Sequence, residues 1–201
     1  VTRPRRTIRT LALAIASLAA LAGWSAPGGA GVASAAGAAA VPGVQLVSTN
    51  PDDRTPVATN GEVRAIAEVG NTIVVGGTFT TIRDGGSSTN VARSYLFAYD
   101  KTTNVVNTAF APTFNGSVDA LQAGPDGASV YVGGTFTNVN GVAQTGLVRI
   151  STATGATVTA FNAKLNGRVS DLALVGNRLY AIGFFGKSRT VALGGLGAFD
   201  T

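Results

Sequence analysis

Val75-Gly76-Gly77-Thr78-Phe79-Thr80 returns, letter for letter, as Val132-Gly133-Gly134-Thr135-Phe136-Thr137. A decayed copy, Ile182-Gly183-Phe184-Phe185, follows about one period later. Each phrase closes a short apolar run, at 73–75, 130–132 and 179–182, that has strand character. The similarity extends outward from the phrase. Copies starting at Gly61, Gly116 and Gly167 lie 55 and 51 residues apart. They align Val63 with Val118 and Val169, Ile66 with Leu121 and Leu172, and Val74 with Tyr131 and Tyr180. A period near 50 residues belongs to propeller blades and solenoid units.

The same series of elements is expected in each copy. A first strand (63–69, 118–123, 169–175) meets a turn at Gly70-Asn71, Gly124-Pro125-Asp126-Gly127 or Gly176-Asn177. Gly and Asn tolerate the positive φ of a tight hairpin. The second strand ends at the glycine phrase. A loop leads to a third strand (94–99, 146–150, 197–199), and a polar turn leads to a fourth (105–109, 157–161). No sustained helical period follows the leader. Four short antiparallel strands in about 50 residues make a β-propeller blade. The predicted fold is therefore all-β, with propeller-type repeats of four-stranded antiparallel blades near 61–115, 116–166 and 167–201. About three blades stand against the four to eight of typical propellers, which predicts an incomplete ring. Residues 44–60 are the candidate closing strand, because 55–61 resembles the end of a fourth strand.

Residues 1–35 read as a secretory signal peptide. Arg3, Arg5, Arg6 and Arg9 precede an apolar run, and Ala33-Ser34-Ala35 fits the small-residue cleavage pattern, placing the cut after Ala35. The apolar run is shorter than the roughly 20 residues that span a bilayer, so no stable membrane anchor is expected. The general secretory route fits better than the twin-arginine route, because Arg9 interrupts the apolar residues after Arg5-Arg6. Residues 36–43 form an Ala/Gly-rich stub. The expected location is extracellular.

Charge and composition exclude several classes. Residues 36–201 carry eleven bases and ten acids, so the basic balance belongs to the leader and no nucleic-acid surface is indicated. The chain has no Cys and no His. That removes disulfides, thiolate and imidazole metal sites, and the Ser-His-Asp triad. A secreted chain without disulfides needs a large or repetitive core.

Residues 44–201 resemble the actinobacterial secreted proteins built from delta-60-type propeller repeats. The resemblance rests on Val130-Tyr131-Val132-Gly133-Gly134-Thr135-Phe136 and on Leu147-Val148-Arg149-Ile150, Thr154-Gly155 and Ala160-Phe161. There is a looser, kelch-like similarity in the glycine pair after a second strand, without the kelch Tyr/Trp pattern. The resemblance implies a fold and an extracellular address, and further blades or binding domains downstream. It implies no particular activity.

Gly76, Gly77, Gly133, Gly134 and Gly183 are expected to be structural turns and close-approach points. A phosphate loop would need a following helix and a Lys-Ser/Thr pair, which the phrase lacks. Phe79, Phe136 and Phe185 are expected to plug the space between blades. The first strand of a blade lines a propeller's channel, and Arg64, Asp119 and Ser170 fall at equivalent positions on it. They are the candidate channel-lining set. No catalytic, metal or cofactor residues are indicated. The expected function is a secreted, non-catalytic module that binds an extracellular protein or glycan. The alternative is the propeller portion of a larger extracellular enzyme, a hydrolase or polysaccharide-active protein, with catalytic residues outside this chain.

Overall fold

The computed structural model describes residues 54–201. The expected signal peptide with its cut at Ala35, the 36–43 stub and residues 44–53 of the candidate closing strand lie outside the described residues.

Sixteen strands and no helix make up the described chain. The first repeat holds β1 (Val57–Ala58), β2 (Val63–Val69), β3 (Thr72–Gly77), β4 (Thr81–Arg83), β5 (Asn90–Ala92) and β6 (Leu96–Asp100). The second holds β7 (Val118–Ala123), β8 (Ser129–Gly134), β9 (Asn138–Val139), β10 (Val142–Ala143) and β11 (Leu147–Ser151). The third holds β12 (Arg168–Val175), β13 (Arg178–Phe184), β14 (Lys187–Ser188), β15 (Val191–Ala192) and β16 (Leu196–Asp200). Three of the six described sheets are the blade sheets, in the orders β2-β3-β6, β7-β8-β11 and β12-β13-β16. The middle strand of each is the one that ends in the glycine phrase. The architecture is the all-β, propeller-type repeat that the spacing predicts.

Two features differ from that expectation. The fourth strands at 105–109 and 157–161 are reduced to one bridge each, Tyr99↔Val106 and Ile150↔Thr157. The cause is local in the first repeat: Asn107 Oδ1 accepts from the N–H groups of Ala109 and Phe110, which curls the chain off the sheet edge. The loop after each second strand, in turn, contains a small hairpin: β4-β5, β9-β10 or β14-β15. Of the candidate closing stretch 44–60, the described part forms β1, Val57–Ala58. This strand pairs with β4 of its own repeat, Val57 opposite Arg83 and Ala58 opposite Ile82.

The sheets stack face to face, β7 against β2 and β3, and β12 against β7 and β8. One core cluster joins Val74, Leu96 and Ala98 of the first sheet to Val118, Val130 and Val132 of the second. Another joins Tyr131 and Leu147 of the second to Val169, Leu172 and Leu179 of the third. Consequently all six residues of β8 are buried, because both of its faces are covered. In β13 burial alternates, with Leu179 and Ala181 covered and Tyr180 and Ile182 exposed. The expected plugs Phe79, Phe136 and Phe185 are buried, and Phe136 meets Phe114 edge to face at 4.9 Å.

The glycine phrase has a different role from a turn. Gly76 and Gly77 are the last residues of β3, and Gly133 and Gly134 the last of β8. None of the four has positive φ. Their missing side chains make room. A methyl group at Gly133 would come within 2.8 Å of Val169 Cγ1 in the next sheet, and one at Gly76 would overlap Val118 Cγ1. The second glycine of each phrase faces its own sheet: methyl groups at Gly77, Gly134 and Gly183 would overlap the carbonyl oxygens of Glu62, Ser117 and Arg168. Val118 and Val169 are fully buried in these seats, which stabilises by about 1.5–3 kcal/mol each.

Gly76→Ala is expected to lower unfolding free energy by about 1–3 kcal/mol through overpacking against Val118. In urea titrations, the Gly76→Ala/Val118→Ala double variant should lose less than the two single losses combined. Additive losses would show that the two residues do not compete for one space.

Candidate functional site

Arg64, Asp119 and Ser170 occupy the same irregularity in the first strand of each sheet. Pairing skips them, between Val63 and Ala65, Val118 and Ala120, and Val169 and Asp171. Each is the extra residue of a β-bulge, which frees its side chain from the alternation of the strand. The structure brings two of the three together. Arg64 Nη1 donates to Asp119 Oδ1 at 2.7 Å, and its Nε and Nη2 each reach Glu62 Oε2 at 3.3 Å. Ser117 Oγ also donates to Asp119 Oδ1, at 3.1 Å. The hydrogen bond with Asp119 raises the Arg64 pKa above its ordinary value, against the opposing effect of desolvation. Ser170 is exposed and takes part in none of these contacts. The bulge cluster is therefore a charge-compensated bridge between the first two sheets. Such partly exposed pairs contribute about 0–1 kcal/mol.

A repeated asparagine organises the other end of the glycine phrase. Asn115 Oδ1 accepts from the N–H groups of Thr137 and Asn138, both at 2.8 Å, and its Nδ2 donates to Thr137 Oγ1 at 2.8 Å. Asn60 does the same with Thr80 and Thr81. Asn166 holds the N–H groups of Gly186 and Lys187, both at 2.9 Å. Each Asn is followed by Gly, and that glycine lies against the backbone of the next phrase; a methyl group at Gly116 would come within 2.9 Å of Phe136 Cα. In the sequence alone, Asn60-Gly61, Asn115-Gly116 and Asn166-Gly167 have the composition of ordinary turns. The available signal was the nearly constant distance from Asn-Gly to the residue after the phenylalanine.

Acidic residues serve as turn anchors. Asp100 Oδ1 accepts from the N–H groups of Thr102 and Thr103, at 2.9 and 2.8 Å. The Thr103 backbone bond, together with Thr103 Oγ1, Thr102 and Asn71, lowers its pKa below the ordinary 3.8, against a partial desolvation that raises it. Burial pushes Asp126 upward, but Ser129 Oγ, the Ala128 N–H and the Arg149 charge together hold it below 3.8. Arg149 also lies over the Tyr131 ring, 5.2 Å from its centroid. Burial raises the Tyr131 pKa, opposed by Arg149 and reinforced by Asp126.

Open clefts recur where neighbouring repeats meet. One of about 340 Å³ is lined by Ala92, Arg93, Ser94 and the segment at 111–114. One of about 250 Å³ is lined by Ala143, Gln144, Thr145, Asn162, Lys164 and Leu165. These are equivalent positions, and their linings differ: Arg93 is replaced by Gln144, and Thr113 by Lys164. Neither lining contains a carboxylate. Arg93 reaches the Ala92 and Thr108 carbonyls through its terminal nitrogens, while its buried Nε has no hydrogen-bond partner.

Stacked antiparallel sheets with a repeated bulge, glycine seat and asparagine clamp define a β-propeller-type repeat protein. A protein-family model described as "Domain of unknown function (DUF5122) beta-propeller" matches residues 71–93 and 125–155. The chain is similar to that family over those segments, which run from the hairpin turn past the glycine phrase to the end of β5 in the first repeat and past β11 in the second. No curated protein matches the chain.

Asn115→Ala is expected to lower stability by about 1–2 kcal/mol, the scale of losing a side-chain cap. Asn115→Asp, which keeps the accepting oxygen, should lose clearly less in the same urea titration. Equal losses would assign the effect to the surrounding loop. The depressed Asp100 and Asp126 pKa values make a second expectation. Their contribution is complete above the unfolded carboxylate pKa of about 3.9 and is lost as pH falls through the lower folded values. Unfolding free energy measured against pH should fall on acidification below about pH 5, with a shallower slope in an Asp100→Asn/Asp126→Asn variant.

Proposed function

We propose that the chain is the propeller part of a secreted protein that binds an extracellular partner without catalysing a reaction on it. The single observation that carries this reading is the recurrence of one cleft, with altered lining, at successive junctions of a constant framework. The Arg64–Asp119 bulge pair and the asparagine clamps use their polar groups on the fold itself. The cleft residues differ from copy to copy and are open to a ligand. Variation on a rigid scaffold is the pattern of a recognition surface. A cation with no carboxylate beside it lines each cleft, Arg93 in one and Lys164 in the other. That charge favours an acidic polymer, whose repeated anionic groups meet both clefts in turn. The leader pattern of residues 1–35 supports export.

The test is binding of the full mature chain to a polyuronate, a poly(glycerol phosphate) and a neutral glucan. Binding to an acidic polymer is expected, weakening as salt rises and roughly 3- to 10-fold weaker in Lys164→Gln. Preference for the neutral glucan, or a Lys164→Gln variant that binds as the parent does, would overturn the cleft assignment.

A further inference from the structure

A second, smaller space adjoins the cleft that Lys164 lines. It is a slot of about 150 Å³, more enclosed than its neighbour, lined by Val139, Val142, Gln144, Thr157, Thr159 and Asn162. Gln144 and Asn162 belong to both linings, so slot and cleft are continuous. Asn162 also ties them together chemically. Its Oδ1 accepts from the Lys164 N–H at 3.1 Å, and Lys164 is held there in the left-handed region, at φ 46°. That backbone conformation is uncommon for a residue with a Cβ and marks a constrained position.

The first repeat fills the corresponding space from within. Arg93 is the counterpart of Gln144: their N–H groups donate to the carbonyls of Thr80 and Thr137, at 3.1 and 3.0 Å. Thr108 is the counterpart of Thr159, two residues beyond the single bridge that remains of each fourth strand. Arg93 reaches across to the Thr108 carbonyl through Nη2, at 3.4 Å. Gln144 is shorter, and it donates from Nε2 to the Leu147 carbonyl instead, at 3.0 Å. The space that Arg93 spans in one repeat is open in the next.

The lining selects its occupant. A cation is disfavoured, because the slot has no carboxylate and Lys164 lines the space beside it. An anionic group is met by Lys164 rather than by the uncharged slot. A wholly apolar group would strip water from the Thr157 and Thr159 hydroxyls without replacing its hydrogen bonds. The group that suits the slot is small, neutral and two-sided. It has a methyl for Val139 and Val142, and an amide for the threonines, Gln144 and Asn162.

We propose that the slot takes the acetamido group of an N-acetylated sugar, so that the polymer bound at this junction carries N-acetylhexosamine beside its acidic residues. The proposal rests on the assignment of the adjoining cleft to an acidic polymer and names the polymer's class. Lys164 meets the acidic residue, and the neighbouring residue places its acetamido group in the slot. The first junction, where Arg93 spans the corresponding space, offers charge alone.

Calorimetric titration of the full mature chain with three probes tests this: a polyuronate, an alternating polymer of uronate and N-acetylhexosamine, and a neutral N-acetylhexosamine oligosaccharide. The alternating polymer is expected to bind about 5- to 10-fold tighter than the polyuronate, the scale of one well-satisfied hydrogen-bonding group, although it has fewer charges per residue. Gln144→Arg restores the side chain of the first repeat. It should fill the slot and cancel that preference, with polyuronate binding at least as tight as in the parent. Thr159→Val keeps shape and charge and should reduce the preference by itself, which keeps the test decisive if Gln144→Arg folds poorly. Equal binding of the two acidic polymers, or a preference that survives both substitutions, would overturn the slot assignment and leave the cleft assignment standing. Failure of both acidic polymers to bind, with oligosaccharide binding that Gln144→Arg abolishes, would uphold the slot and overturn the anionic cleft. Failure of all three probes would overturn both.

Discussion

The structure depends on the contact of valine with glycine between adjacent sheets. Sheets of ordinary side chains pack about 10 Å apart. Here the missing Cβ at Gly76 and Gly133 lets the first strand of the next repeat seat a branched side chain close to the preceding backbone. Once Val118 and Val169 are seated, the offset between sheets is set. The rest of the interface, Leu96 and Phe110 at one junction and Leu147 and Phe161 at the other, closes around them. Both faces of β8 are then buried, and the second repeat becomes the centre of the stack.

A contact this close leaves little room for error in the connecting chain, and the asparagine clamps supply the needed control. Each replaces two missing ladder bonds with two bonds to one amide oxygen, at the point where the chain leaves the second strand. The bulges act at the same end of the sheet, letting the first strand bend while Arg64 and Asp119 meet across the junction. The clamps and the Arg64–Asp119 pair thus spend their polar groups within the framework. What remains chemically available is the cleft lining, and there the repeats diverge.

Much of this was legible beforehand, for a definite reason. Repetition multiplies weak local signals: one Val-Gly-Gly-Thr-Phe-Thr is a loose motif, but aligned copies expose Val63, Val118 and Val169 as one position. The equivalence of Arg64, Asp119 and Ser170 came from the same alignment, though not their bulges, because a skipped pairing depends on the partner strand. The fourth strands are shorter than their composition suggests, one bridge each. Residues 105–109 and 157–161 have strand composition, but hydrogen bonds from the Asn107 side chain compete with the ladder at the first of them. The small hairpins were missed because two- and three-residue strands carry almost no periodicity. The asparagine clamps looked like turn residues because their partners lie 20 or more positions away.

The sequence by itself determined the β-class, the repeat and its phase, since these follow from local alternation and from spacing along one chain. Only the tertiary structure decided why the glycines are glycines. Gly76 serves a valine more than 40 residues later, and Gly77 serves the carbonyl of a residue 15 positions earlier. No local rule specifies such a distant steric requirement. The same holds for Ile182. In the sequence it is a lapse in a motif; in space it stands opposite Leu196 as Gly76 stands opposite Leu96.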